Sequence, residues 1–242
     1  MVQEQEVACP WAQSTIRPPG SPLPLSSPLL QHLALKRPEP LSLSQQLAGR
    51  TVLHLENWAK ITDSQWVLDT VAGYKLELEK IPCQTHHPVT VAQRNQEEPI
   101  HQEVQTLLDK GAVIEVPPAQ VDEGFYSTLF LVPKERGPEQ AGVNLRSLNR
   151  FVKAEHFKME GMHIVRDLLQ EGDWMTRLDL KDAYFAIPVH KHHQKYLRFR
   201  WRNKSYQFQS LPFGLSTAPR TFTKVLRPVI GLLRELGIRC VI

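Results

Sequence analysis

Proline divides this chain before any other signal does. Of its 19 prolines, eight lie within the first 40 residues, in runs such as RPPGSPLPLSSP at 17–28. Each proline fixes φ and removes a backbone donor, so neither a helix nor a ladder runs through such a stretch. Residues 1–40 are therefore expected to be a disordered Pro/Ser-rich tail, and the fold must be built from residues 41–242.

Residues 41–94 read as an upstream extension of short helices and loop. Leu53, Leu55, Trp58, Ile61, Trp66, Val67, Leu68 and Val71 supply apolar weight. Ile61–Thr62–Asp63 followed by Ser64–Gln65–Trp66 resembles a cap and a short helix, which Gly73 stops. Tyr74, Leu76 and Leu78 then alternate as in a strand. From 95 onward the punctuation is regular. Ile100, Val104, Leu107 and Leu108 make a helical stripe between Pro99 and Gly111. Ala112–Val116, Phe125–Val132 and Trp174–Leu180 read as strands. Met162, Val165, Leu168 and Leu169 predict a helix before Gly172. Leu197–Trp201 and Tyr206–Phe208 predict a hairpin turning at Arg202–Asn203–Lys204. A long helix opens at Pro219, with Phe222, Val225, Leu226, Val229, Leu232, Leu233 and Leu236 facing inward. Helices and strands are mixed in order, which makes the class α+β.

Composition narrows the possibilities. Hydrophobic residues make up 41% and charged residues 22%, values of a folding chain. No run approaches the ~18 apolar residues of a membrane span. The opening MVQEQEVACPWAQ lacks the basic and apolar regions of a secretory signal, and three scattered cysteines suit a reducing compartment. The expected location is intracellular, cytoplasmic or nuclear. A net charge of +4 permits a polyanionic partner without requiring one.

Two segments carry chemistry. In LDLKDAYF (178–185), Asp179 and Asp182 stand three apart where a strand gives way to a turn. Two-metal nucleotidyl transfer places carboxylates this way, because hard cations take oxygen ligands. From the spacing alone, an exposed strand end for Asp179 and a cap role for Asp182 are the favoured reading, because D-x-x-D is a weak pattern. In LPFGLSTAPRTF (211–222), Gly214 gives the backbone freedom, Ser216 or Thr217 can cap, and Pro219 starts a helix. Such a loop favours phosphate or a template backbone, or is simply a well-capped helix start. Arg198, Arg200, Arg202 and Lys204 interleave with Phe199, Trp201 and Tyr206, which fits a basic nucleic-acid-binding hairpin or an ordinary amphipathic one. His190, His192 and His193 read as a polar turn rather than a zinc site.

Taken together, LDLKDAYF and LPFGLSTAPRTF resemble the first two palm motifs of reverse transcriptases. GFYSTLFLVPK (124–134) and NLRSLNRFV (144–152) resemble the fingers strands before them, and HFKMEGMHIVRDLL (156–169) resembles the connecting helix. The likeness covers residues 95–242. Its wording resembles DIRS-like, tyrosine-recombinase retrotransposons most, with gypsy-type elements next. It implies a partial right-hand polymerase with fingers and an incomplete palm. It implies RNA or DNA template-primer and dNTP as partners in the parent enzyme, Mg²⁺ as cofactor, and a polyprotein that also carries ribonuclease H. No membrane partner is implied.

By the same resemblance, Asp179 is the catalytic metal-binding aspartate, and Leu180 lends a backbone carbonyl to the metal. Lys134, Asp182, Ala183, Tyr184, Phe213 and Gly214 contact the incoming dNTP, with Tyr184 as the steric gate against a ribose 2′-OH. The family's other two metal-binding aspartates belong to a Tyr-x-Asp-Asp hairpin after the strand represented by GIRCVI, where the sequence ends at Ile242. Gln140 stands where the family's fingers arginine is expected. The expectation is a truncated domain, inactive as an isolated chain, or else a non-catalytic nucleic-acid- or protein-binding module derived from a transposable element.

Overall fold

The computed structural model describes residues 48–132, 140–153 and 155–242. The expected disordered tail at 1–40, the start of the extension and Lys134 lie outside the described residues.

Helices α1 (Leu55–Ile61) and α2 (Gln65–Gly73) follow a 3₁₀ turn at Arg50–His54. Helix α3 (Glu97–Asp109) buries Ile100, Val104 and Leu107, the stripe its periodicity predicts. Gly111, at φ 67°, then turns the chain into β1 (Val113–Glu115). Strands β2 (Tyr126–Val132) and β3 (Gln140–Asn144) form an antiparallel pair, followed by the short α4 (Arg146–Asn149). Helix α5 (Met162–Leu168) and the turn α6 (Lys191–Gln194) precede β4 (Arg198–Trp201) and β5 (Lys204–Phe208). Helix α7 (Ala218–Glu235) closes the order.

The five strands make one sheet in the order β1-β5-β4-β2-β3. Strand β4 sits at its centre, parallel to β2 and antiparallel to β5. The β4–β5 turn is made by Arg202 and Asn203, at φ 45° and 62°. Two successive left-handed residues give a turn whose twist matches that of the strands it joins. Phe199, Trp201 and Phe208 lie in the core with Leu197 and Leu211.

The upstream extension packs into this same core through Val67, Val71, Tyr74 and Leu76. Its stretch after Gly73 makes single bridges, Tyr74 to Val189 and Leu78 to Val152, rather than a strand.

Two further strands expected from the sequence do not form. Trp174–Leu180 is not a strand: it has no regular secondary structure, with Trp174 fully exposed and Leu178 84% exposed. Helix α5 forms as expected, although it buries none of its residues and Met162 is 80% exposed. Ile238–Ile242 forms no ladder, and Cys240 is only partly buried. Alternation provides a face, but a strand also needs neighbours for its backbone groups. Among the described residues, 174–180 finds no backbone hydrogen-bond partner. Accordingly α7 buries its first half, at Ala218, Thr221, Thr223 and Val225, while Leu232, Leu233 and Leu236 remain half-exposed.

Candidate nucleotide site

LDLKDAYF changes character along its length. Leu178, Asp179 and Leu180 have no regular secondary structure and are exposed. Asp182 then adopts φ 54°, a left-handed conformation that Asp tolerates better than most residues. It opens a 3₁₀ turn, Ala183–Ala186, with its backbone oxygen accepting the Phe185 N–H at 3.0 Å. Its carboxylate does not cap that turn. It forms an ion pair with Lys110 Nζ at 3.0 Å, with both side chains largely shielded. Lys110, just past α3, was not visible as a site residue, because a lysine there reads as an ordinary helix end.

The turn sends Phe185 into the core and leaves Tyr184 half-buried. The Tyr184 ring centroid lies 4.8 Å from that of Phe213 and 5.6 Å, edge-on, from that of Phe222. Phe185 meets Phe213 at 5.4 Å. The two motifs are therefore brought together by aromatic contact. Burial holds the Tyr184 hydroxyl above its ordinary pKa, so it is protonated at neutral pH.

Gly214 is at φ 89°, and a Cβ there would lie 3.3 Å from the Val143 carbonyl. Asn149 grips this loop from both sides. Its Nδ2 donates to the Gly214 carbonyl at 2.9 Å and its Oδ1 accepts the Ser216 N–H at 3.0 Å. Asn149 lies inside NLRSLNRFV, yet sequence alone gives no sign that its amide spans to residue 214. Phe213, next to Gly214, is 48% exposed. Neither Ser216 nor Thr217 caps α7 through its side chain. The buried Thr217 hydroxyl instead accepts from Tyr74 OH at 2.9 Å.

The basic hairpin departs from its expected pattern of charge outward. Arg198 is 2% exposed. Its guanidinium donates to the carbonyls of Gln120 and Glu123 and to Gln207 Oε1, which pins the 118–124 loop to the sheet. Arg200 lies 5.0 Å from the Tyr126 ring centroid. Arg202 pairs with Glu98 at 3.8 Å and Lys204 with Glu115 at 2.8 Å. Much of the hairpin's positive charge is met from within the protein.

For a divalent cation, Asp179 offers one exposed carboxylate and Leu180 a carbonyl. Asp182 is engaged by Lys110. Among the described residues, no group of three or more His, Cys, Asp or Glu side chains could hold a metal ion. The donors gathered here do not make a two-cation centre, because two divalent ions need several shared carboxylates. The histidines form the expected polar turn, with His190 Nδ1 accepting the His192 N–H.

The chain is similar to known proteins in sequence and in fold. Residues 134–242 match the reverse transcriptase (RNA-dependent DNA polymerase) family. The Transposon Tf2-3 polyprotein of Schizosaccharomyces pombe is 30% identical over 112 residues, covering 46% of this chain and 8% of that polyprotein. The Tf2-7 polyprotein of the same yeast is 29% identical over the same length. The chain thus spans under a tenth of these relatives. The crystal structure of prototype foamy virus protease-reverse transcriptase aligns with a TM-score of 0.52 at 18% identity, covering 69% of this chain and 22% of that one. Residues 134–242 are thus similar to part of a reverse transcriptase domain of the kind found in retrotransposon polyproteins. No helix among the described residues is long and apolar enough to cross a membrane.

Proposed function

We propose that this stretch forms the nucleotide-facing wall of an RNA-directed DNA polymerase from a DIRS-like retrotransposon. The parent reaction joins a primer 3′-OH to the α-phosphate of a dNTP on an RNA or DNA template, releasing pyrophosphate. Mg²⁺ is the expected cation, and Asp179 with the Leu180 carbonyl is this stretch's contribution to holding it. The backbone of Asp182 and Ala183 faces the triphosphate, and Lys134 from the fingers adds positive charge. The Tyr184 ring, set by Phe213 and Phe222, stands where a ribose 2′-OH would fall, and Gly214 lets the backbone approach the base pair. Of the hairpin cations, Arg200, Arg202 and Lys204 remain candidates for the nucleic-acid backbone. The wider polyprotein is expected to carry ribonuclease H and to act inside the cell.

The observation that carries this reading is the contact of Tyr184 with Phe213. Two motifs 29 positions apart in sequence meet at one aromatic pair, next to a glycine in a left-handed conformation. One exposed carboxylate cannot balance two divalent ions and a triphosphate. A polypeptide of these 242 residues is therefore expected to bind a deoxynucleotide without polymerising it.

Equilibrium binding of dATP and ATP in Mg²⁺, with a primer-extension assay alongside, tests both halves. The expected result is preference for dATP, loss of that preference in Tyr184→Ala, and no extension. Equal binding of both nucleotides by the parent protein would remove the gate assignment. Template-dependent extension abolished by Asp179→Ala would overturn the predicted inactivity.

A further inference from the structure

Arg202 and Lys204 of the hairpin have carboxylate partners, but a second cluster of cations has no counterions among the described residues. Tyr74 and Leu76 point into the core, so Lys75 between them points out and is exposed. Its position is fixed by backbone bonds on both sides. Tyr74 N–H donates to the Pro188 carbonyl at 2.8 Å and His190 N–H to the Tyr74 carbonyl at 2.9 Å. Leu76 N–H donates to His193 Nδ1 at 3.1 Å. Lys75 is thereby held against the turn 190–195, whose Lys191 and His192 are exposed and whose Lys195 is half-exposed.

The charges acting here are all of one sign. Burial and then Lys75 and His192 lower the pKa of the His190 imidazole. Burial and then His190, Lys75, His192 and Lys195 do the same to His193. No carboxylate is among the charges felt by either ring. The contrast with Arg202 on Glu98, Lys204 on Glu115 and Lys110 on Asp182 is direct. Rings lie among the lysines. His193 and Tyr196 meet edge-on at 5.9 Å, and the Lys195 ammonium lies 5.6 Å from the Tyr196 centroid.

We propose that Lys75, Lys191 and Lys195, with the His190, His193 and Tyr196 rings between them, form a second nucleic-acid contact that holds a single strand away from the nucleotide site. The proposal depends on the polymerase reading only in that the chain handles nucleic acid. Lysines neutralise phosphates without regard to sequence, and half-exposed rings offer bases a stacking surface. An acidic peptide would use the lysines and leave the rings idle. With its Nδ1 occupied by Leu76 N–H, neutral His193 carries its proton on Nε2, a donor for a phosphate oxygen.

The test uses the 242-residue protein and a labelled oligouridine of about 20 nucleotides, followed by fluorescence anisotropy over a salt series. The parent protein is expected to bind at about 50 mM salt, and the triple variant Lys75→Gln, Lys191→Gln, Lys195→Gln to bind at least ~10-fold more weakly, with the log–log salt slope reduced by about 2. Tyr196→Leu should weaken binding several-fold with the slope unchanged. Thermal melts of each variant check that the fold is retained, and dATP preference should survive in the triple variant. Equal binding by the triple variant and the parent overturns the surface while leaving the nucleotide reading intact. No binding by the parent also overturns it. Binding of polyglutamate with the same lysine dependence, and no effect of Tyr196→Leu on oligouridine, would reassign the surface to an acidic protein partner.

Discussion

Arg198–Trp201 and Trp174–Leu180 are both short stretches in which apolar and polar side chains alternate, and they meet opposite fates. The first is the central strand of the sheet, with β2 on one side and β5 on the other. Its Phe199 is fully buried, and even its Arg198 is enclosed. The second lies open, with Trp174, Met175, Leu178 and Leu180 all exposed. Side-chain pattern sets which face an extended segment would bury. Whether the segment becomes a strand is decided by the backbone partners that reach it. A guanidinium can be buried in the first stretch because carbonyls from the 118–124 loop come to meet it. The second has no such company among the described residues.

Mutation should therefore affect the two stretches very unequally. Arg198→Ala should give the largest loss of stability, about 3–5 kcal/mol. It removes the guanidinium that donates to two loop carbonyls and leaves a void in a packed sheet. Urea denaturation of parent and variant measures the difference. A loss below about 1 kcal/mol would mean that the 118–124 loop is not held by this residue and that β4 is less enclosed than its burial indicates.

Much of the sheet was legible in the sequence because its signals are local. Gly111 stops a helix, Arg202–Asn203 make a tight turn, and the α3 stripe repeats at helical spacing. The meeting of LDLKDAYF with LPFGLSTAPRTF was legible only through resemblance, since no periodicity links residues 184 and 213. What could not be read is long-range partnership. The Lys110–Asp182 ion pair spans 72 positions and the Asn149 grip on Gly214 spans 65. Arg198 misled for the same reason. In an alternating strand it reads as solvent-facing, and only the loop that folds over it makes the charge internal.

A smaller effect separates the well-covered side of the molecule through pH. His193 joins the upstream segment to the α6 turn through the Leu76 N–H, and burial first, then nearby cations, lowers its pKa from the ordinary histidine value of 6.5. The folded state therefore takes up this proton less readily than the unfolded chain. The resulting stability is present above the unfolded value and is lost as pH falls from there toward the lower folded value. His190, lowered in the same way, adds in the same direction. The urea midpoint should fall between pH 7 and pH 5, and His193→Gln should flatten that fall. An equal fall in parent and variant would assign the pH dependence elsewhere, for instance to the carboxylates.

The smallest effect should come from the exposed apolar stretch at 174–180. Trp174→Ser and Leu178→Ser remove large apolar side chains, yet each is exposed and so has little burial to lose. Each should change stability by less than about 0.5 kcal/mol. Solubility should rise, because a row of exposed apolar groups on a segment outside any sheet invites intermolecular association. Denaturation with light scattering at several concentrations checks both. If Trp174→Ser instead costs as much as a core substitution, then 174–180 is buried in solution against another surface, and the contrast with β4 disappears.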